Sequence, residues 1–290
     1  MPRPYEPPVD SPRSLAEAYP LLGGARPLAG GTDLMVQITG ELGEPPKRVV
    51  DIWGLDELRG IRVEGDALVV GALTTYTEIQ RSDAVRQHLP VLAEVAATIG
   101  AAQIQNRGTI GGNIVNASPA GDTLPLLLAA DAAIVLVSAR GERSVPADTF
   151  FPEYRRTARA EEELVLAVRF PIDTSREVRF RKVGTRRAQA ISKMVMALSW
   201  QTDGAGGPGA DSRWHDVRLA LGSVAPTPIR ATATEAVLEG STPTQDTADR
   251  AAAALEAEIQ PIDDVRSTAA YRRAVAGRVL HRLIRNAGGW

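Results

Sequence analysis

Cysteine is absent from this 290-residue chain, which excludes disulfides, a cysteine nucleophile and any iron–sulfur cluster ligated by the chain itself. Electrons passing through such a protein would need an organic cofactor. Histidine is scarce as well: His88, His215 and His281 stand apart, with no H-x-x-x-H or related spacing, so no metal site is expected. No apolar run approaches the length of a membrane span. Lys plus Arg number 33 against 35 for Asp plus Glu, so no basic excess points to nucleic acid or an anionic membrane. The proline-rich opening M-P-R-P-Y-E-P-P-V-D lacks the apolar core of a signal peptide, and the expected location is the cytoplasm.

What is present is the composition of a globular protein, 44% hydrophobic and 23% charged, with length for roughly two domains. Ser14 and Glu17 have capping-box spacing and open a short helix. A strand at 26–29, a Gly30-Gly31 turn and a helix at 33–38 then form a strand–turn–helix unit aimed at an anion. A strand is expected at 49–52 and a hairpin at 60–70, turning at Glu64-Gly65-Asp66. Residues 89–99 read as a half-buried helix with Pro90 in its first turn. A helix at 124–130 and strands at 133–138 and 164–170 complete the first region, which Pro171 ends.

The last third reads as a separate unit of three strands (178–183, 191–201 and 214–224) followed by helices. Met194, Met196, Leu198 and Trp200 alternate on one face of the second strand. A glycine-rich loop at 202–213 joins the last two strands. Thr247 is expected to cap a helix over 248–259. A final helix over 267–286 carries Tyr271, Val275, Val279 and Leu283 on one stripe. The fold class is therefore α+β.

Two glycine-rich stretches carry the chemistry. The first is R-P-L-A-G-G-T-D-L-M from Arg26; the second, N-R-G-T-I-G-G-N-I-V-N-A-S-P-A-G-D-T-L-P-L-L-L-A-A, runs from Asn106 to Ala130. Glycine permits close backbone approach, and the Thr, Asn, Ser and Asp side chains that follow supply hydrogen-bonding groups. Neither stretch matches G-x-G-x-x-G or G-x-x-x-x-G-K-[ST]. The pattern suits two separated loops whose amides hold the pyrophosphate of a dinucleotide. No candidate acid–base pair for a substrate is apparent.

The motifs A-G-G-T-D-L (29–34) and T-I-G-G-N-I-V-N-A-S-P-A-G-D (109–122) resemble the two flavin-binding motifs of the FAD-carrying medium subunits of molybdenum hydroxylases. That family includes xanthine, carbon monoxide, aldehyde and N-heterocycle dehydrogenases. The resemblance extends through G-A-L-T-T-Y-T-E-I (71–79) and F-R-K-V-G-T-R-R-A-Q-A-I-S (180–192), nearly the whole chain. It implies a PCMH-type FAD-binding domain over 1–172, in subdomains of about 1–55 and 56–172. It further implies a C-terminal carbon monoxide dehydrogenase flavoprotein-like domain over 176–288, a three-stranded antiparallel sheet with a helical bundle.

By the same resemblance, Leu28, Ala29, Gly30, Gly31, Thr32, Asp33 and Leu34 would wrap the FAD pyrophosphate together with Thr109, Ile110, Gly111, Gly112 and Asn113. Asp122 would accept from the ribose or adenine end, Leu166 would pack near the isoalloxazine, and Lys182 would approach its polar edge. FAD would be non-covalent, since neither His nor Cys lies near the motifs. The resemblance also implies a large partner subunit with a molybdenum cofactor and a small partner with [2Fe–2S] clusters, in a dimer of heterotrimers, with NAD as a candidate acceptor. A self-contained FAD-dependent reductase, or a non-catalytic assembly or phosphate-binding subunit, are the alternatives.

Overall fold

In a computed structural model, residues 6–40, 44–202 and 212–290 are described. Most of the glycine-rich loop expected at 202–213 lies outside them. Among the described residues, three sheets organise the fold. The first is parallel, in the order β1-β3-β2, from β1 (Val9–Asp10), β2 (Arg26–Leu28) and β3 (Val49–Asp51). The second is antiparallel, in the order β4-β5-β8-β6-β7, from β4 (Ile61–Glu64), β5 (Ala67–Gly71), β6 (Ala133–Ser138), β7 (Gly141–Pro146) and β8 (Leu164–Pro171). The third, also antiparallel, holds β9 (Arg176–Val183), β10 (Met194–Thr202), β11 (Trp214–Gly222) and a two-residue β12 (Ile229–Arg230) in the order β12-β11-β10-β9. The expected three-stranded sheet thus gains a fourth strand too short to leave a period-2 pattern.

The helix Pro90–Thr98 starts at its proline and buries Val91, Leu92, Val95 and Ala96 against the second sheet's core. Each aliphatic side chain so buried contributes roughly 1.5–3 kcal/mol relative to exposure. The β4–β5 hairpin turns through Gly65 at φ +60°, a conformation glycine adopts without a Cβ penalty.

The seven consecutive buried residues of β10 follow from packing on both faces. Met194, Met196, Leu198 and Trp200 enter a core shared with the C-terminal helices, and Trp200 stacks on Trp214 at 4.3 Å. Val195 and Ala197 join the core of the first region instead. The helix Leu124–Ala129 from that region lies against β10 and β11. A sheet covered on both faces reads as a continuous apolar run.

Two boundaries differ from expectation. The helix Gln245–Glu258 is capped by Thr244, whose hydroxyl accepts from Thr247 N; Thr247 itself sits at the third helical position. Two threonines three apart offer the same local signal, and the turn selects between them. In the helix Ala269–Gly288, the buried face carries Ala276, Leu280, Leu283 and Ile284, while Tyr271 is 43% exposed. The expected stripe is rotated because Arg272, buried, donates to the Ser223 carbonyl and to Asp264, which turns the neighbouring Tyr271 outward.

Candidate functional site

The loop after β2 and the loop before the helix Ile110–Asn116 meet directly. A Cβ on Gly30 would fall 1.8 Å from the Arg107 carbonyl oxygen, so only glycine permits this approach. Arg107 is held in turn by Trp53, over whose ring its guanidinium lies at 3.8 Å. Between the loops opens a cleft of about 1080 Å³, its open mouth included. Ala29, Gly30, Gly31, Thr32, Asp33 and Leu34 line it from one side, and Thr109, Gly111, Gly112 and Asn113 from the other.

The two stretches present their backbones differently. Among the described residues, the N–H groups of residues 30–34 have no protein acceptor. They form a run of free donors at the start of the helix Leu34–Thr39, an arrangement suited to an anion. In the second stretch the donors of residues 110–113 are engaged. Ile110 N donates to Thr74 O, Gly111 N to Ala72 O, Asn113 N to Thr109 O and Gly112 N to the Thr109 hydroxyl, all at 2.9–3.1 Å. A Cβ on Gly111 would meet Ala72 Cβ at 2.7 Å. The amides of residues 110–113 are thus strapped to residues 72–74 and 109, while Thr109, Gly111, Gly112 and Asn113 line the cleft. Asn113 Oδ1 is buried there without a partner among the described residues, as a polar atom reserved for a ligand would be.

Five of the expected residues stand elsewhere. Leu28 lies on β2 and packs beneath Gly31, while Ile110 is fully buried in the core. Leu166 faces away from the cleft, in an open groove with Arg62, Val69, Val135 and Arg169. The reason is a β-bulge: Val135 pairs with Ala167 and Leu136 with Val165, leaving Leu166 as the extra residue. Its neighbours Leu164 and Val165 line the cleft instead.

Asp122 and Lys182 form a buried pair at 2.6 Å, each side chain 9% exposed, and do not line the cleft. Lys182 Nζ also donates to Thr98 O at 2.8 Å, and the Ser192 hydroxyl donates to Asp122. Burial pushes the Asp122 carboxyl up, and Lys182 and Ser192 offset it only in part. This network ties the end of the second stretch to β9 and to the loop before β10.

The cleft also contains groups that motif reasoning passed over. Tyr76 is buried, its hydroxyl 3.2 Å from Thr123 Oγ1; burial drives its pKa well above the ordinary range. Arg26 and Arg159 stand on the wall with Pro27, Ile52 and Leu164. Arg26 belonged to the quoted first stretch and could have been singled out by its charge; Arg159 left no signal, being placed by tertiary contact alone. Among the described residues, no group of three or more His, Cys, Asp or Glu is arranged to hold a metal ion. No helix there is long and apolar enough to cross a membrane.

Residues 6–173 match the FAD binding domain in molybdopterin dehydrogenase, and residues 179–287 match the CO dehydrogenase flavoprotein C-terminal domain. The chain is 35% identical to the carbon monoxide dehydrogenase medium chain of Hydrogenophaga pseudoflava over 94% of each. It is 30% identical to the xanthine dehydrogenase FAD-binding subunit of Escherichia coli O157:H7 over 95% of each. The structure superposes on a chain of H. pseudoflava carbon monoxide dehydrogenase lacking the Mo-pyranopterin moiety, with a TM-score of 0.89, 34% identity and 96% of both chains covered. The free amides at residues 30–34, the orphaned Asn113 oxygen and the glycine-lined approach fit the cofactor those domains bind, and this chain belongs to the FAD-binding medium-subunit family of the molybdenum hydroxylases.

Proposed function

We propose that this chain is the electron-transfer subunit of a molybdenum hydroxylase complex, holding FAD non-covalently in the cleft between its two glycine stretches. Electrons leaving a substrate at the molybdenum cofactor of a large partner would cross the [2Fe–2S] clusters of a small partner. They would reach NAD or another acceptor by way of this chain. The assembly that suits this division is a dimer of heterotrimers in the cytoplasm. Bound FAD supplies the exchange between single-electron and hydride-type transfer that no amino-acid side chain provides.

The observation that carries the reading is the run of unengaged N–H groups at residues 30–34 facing a cleft that also holds the unpartnered Asn113 oxygen. The free donors are suited to the pyrophosphate, with the Thr32 and Thr109 hydroxyls beside them. Leu164 and Val165 supply an apolar wall for a planar ring, the part first expected of Leu166. Asp122 and Lys182 support the site from behind, by fixing the end of the second stretch. The absence of cysteine requires any iron–sulfur cluster to lie in another chain.

The test is the visible spectrum of the purified chain, with the cofactor released by denaturation and identified. One FAD per chain supports the reading. A colourless protein that takes up no added FAD overturns it.

A further inference from the structure

The cleft carries more positive charge than the glycine stretches explain. Its charged lining residues are Arg26, Arg159 and Asp33, two cations against one carboxylate. Asp33 accepts a hydrogen bond from the Asn116 side-chain amide. Arg159 is held in place through Nη1, which donates to the carbonyls of Ala160, Glu161 and Glu163 at 2.5–3.2 Å. Its Nε is buried with no acceptor among the described residues. Neither arginine forms an ion pair there, although Glu162 and Glu163 nearby pair with Arg140 and Arg143.

Such a placement is costly for the folded chain alone. Burial, and then the like charge of Arg26, push the Arg159 pKa down, and Glu163, Glu161 and Glu162 offset this only in part. A buried charge ordinarily finds a partner. Fixing one guanidinium by three backbone carbonyls while leaving Nε unmade is the arrangement expected where the anion arrives with a ligand.

We propose that Arg26 and Arg159 form a cationic subsite that neutralises the pyrophosphate of the bound dinucleotide, in the cleft that residues 30–34 also line. The amides supply direction and the arginines supply charge. The proposal rests on the FAD reading above; Lys182, expected at the polar edge of the isoalloxazine, is occupied by Asp122. NAD carries the same pyrophosphate, so the experiment must separate the two dinucleotides.

The full chain, freed of cofactor, is titrated with FAD and separately with NAD at low and high salt, for wild type, R26Q, R159Q and R159K. A charged hydrogen bond removed from a ligand phosphate weakens binding by about tenfold to a hundredfold. R159Q is expected to lose FAD affinity on that scale, R26Q less because it is exposed, and R159K to recover part of the loss. The gap between wild type and R26Q should narrow at about 1 M salt, where screening acts within roughly 3 Å. FAD affinity unchanged in both R26Q and R159Q overturns the proposal, as does a loss in R159Q and R26Q that is the same at every salt concentration. Weakened NAD binding with FAD binding intact would assign the subsite to the acceptor and overturn it too. Failure of the wild-type chain to bind FAD sinks the FAD reading itself, a result the variants cannot produce.

Discussion

Residues 30–34 and 109–113 have nearly the same composition and opposite roles. The first stretch leaves its amides free towards the cleft, and its glycines allow a ligand or another loop to come close. The second turns its amides onto Ala72, Thr74 and Thr109, and its Gly111 lets the backbone press against residue 72. On the proposed reading the first is the binding surface, and the second is the strap that holds the opposite wall. A Gly-Gly pair therefore says that something approaches the backbone closely, and only the neighbours decide whether it is ligand or protein.

The difference can be broken most forcefully at the far end of the strap. Asp122→Ala leaves Lys182 buried beside an empty site, and removing one member of a buried pair typically costs about 3–5 kcal/mol. Chemical denaturation should show that loss, with FAD release following from the loosened stretch. If Asp122→Ala abolished FAD binding with unfolding unchanged, the carboxylate would be a ligand contact and the comparison would fail.

Smaller, and aimed at the comparison itself, are the glycine substitutions. Gly111→Ala drives a methyl into Ala72 and should cost about 1–3 kcal/mol through overpacking; Gly30→Ala meets the Arg107 carbonyl and should part the two loops. Gly31 lies at φ +76°, where alanine costs roughly 1–2 kcal/mol. The expected signature is a lowered melting temperature for Gly111→Ala with FAD affinity reduced only in proportion. For Gly30→Ala and Gly31→Ala, flavin loss should exceed the loss of stability. Equal ratios in all three variants would mean that the stretches do not divide the work.

Thr109→Val removes the hydroxyl that accepts from Gly112 N and should cost about 1 kcal/mol, as for other N-caps. Thermal unfolding would measure it.

Acid provides a contrast with the C-terminal unit. Burial pushes the Asp264 carboxyl up, but hydrogen bonds from Arg266 N, the Arg272 guanidinium and Ser267 N outweigh it and hold it at about 2, against an ordinary 3.8. A depressed carboxyl stabilises the fold above its unfolded value and loses that contribution as pH falls towards the folded one. Stability followed by tryptophan fluorescence should therefore drop between about pH 4 and pH 2, and Asp264→Asn should flatten that drop. The least effect is expected at the exposed Arg62–Glu64 pair, where Arg62→Ala should leave the melting temperature nearly unchanged.

Much of this architecture is legible in the residues. Periodicity and turn chemistry place the β4–β5 hairpin, the Pro90–Thr98 helix and the long strands of the last third. The strand–turn–helix unit around Gly30 and Gly31 follows from its order of apolar, glycine and polar residues. Reading fails where a short-range rule has two local solutions. Thr244 and Thr247 are equal candidates as a cap, and a period-2 strand gives no sign of the bulge that turns Leu166 outward and brings Val165 to the cleft.

The sequence by itself determined that the chain has two regions, that two separate glycine-rich segments are the candidates for a site, and that any iron–sulfur cluster must lie in another chain. These depend on local pattern and composition. Tertiary structure alone decided which amides remain free, that Asp122 and Lys182 find each other, and that Arg26 and Arg159 share a wall without forming an ion pair among the described residues. Those outcomes turn on whether a donor or charge meets its partner within about 3 Å across distant segments, a distance at which hydrogen bonds exist or do not.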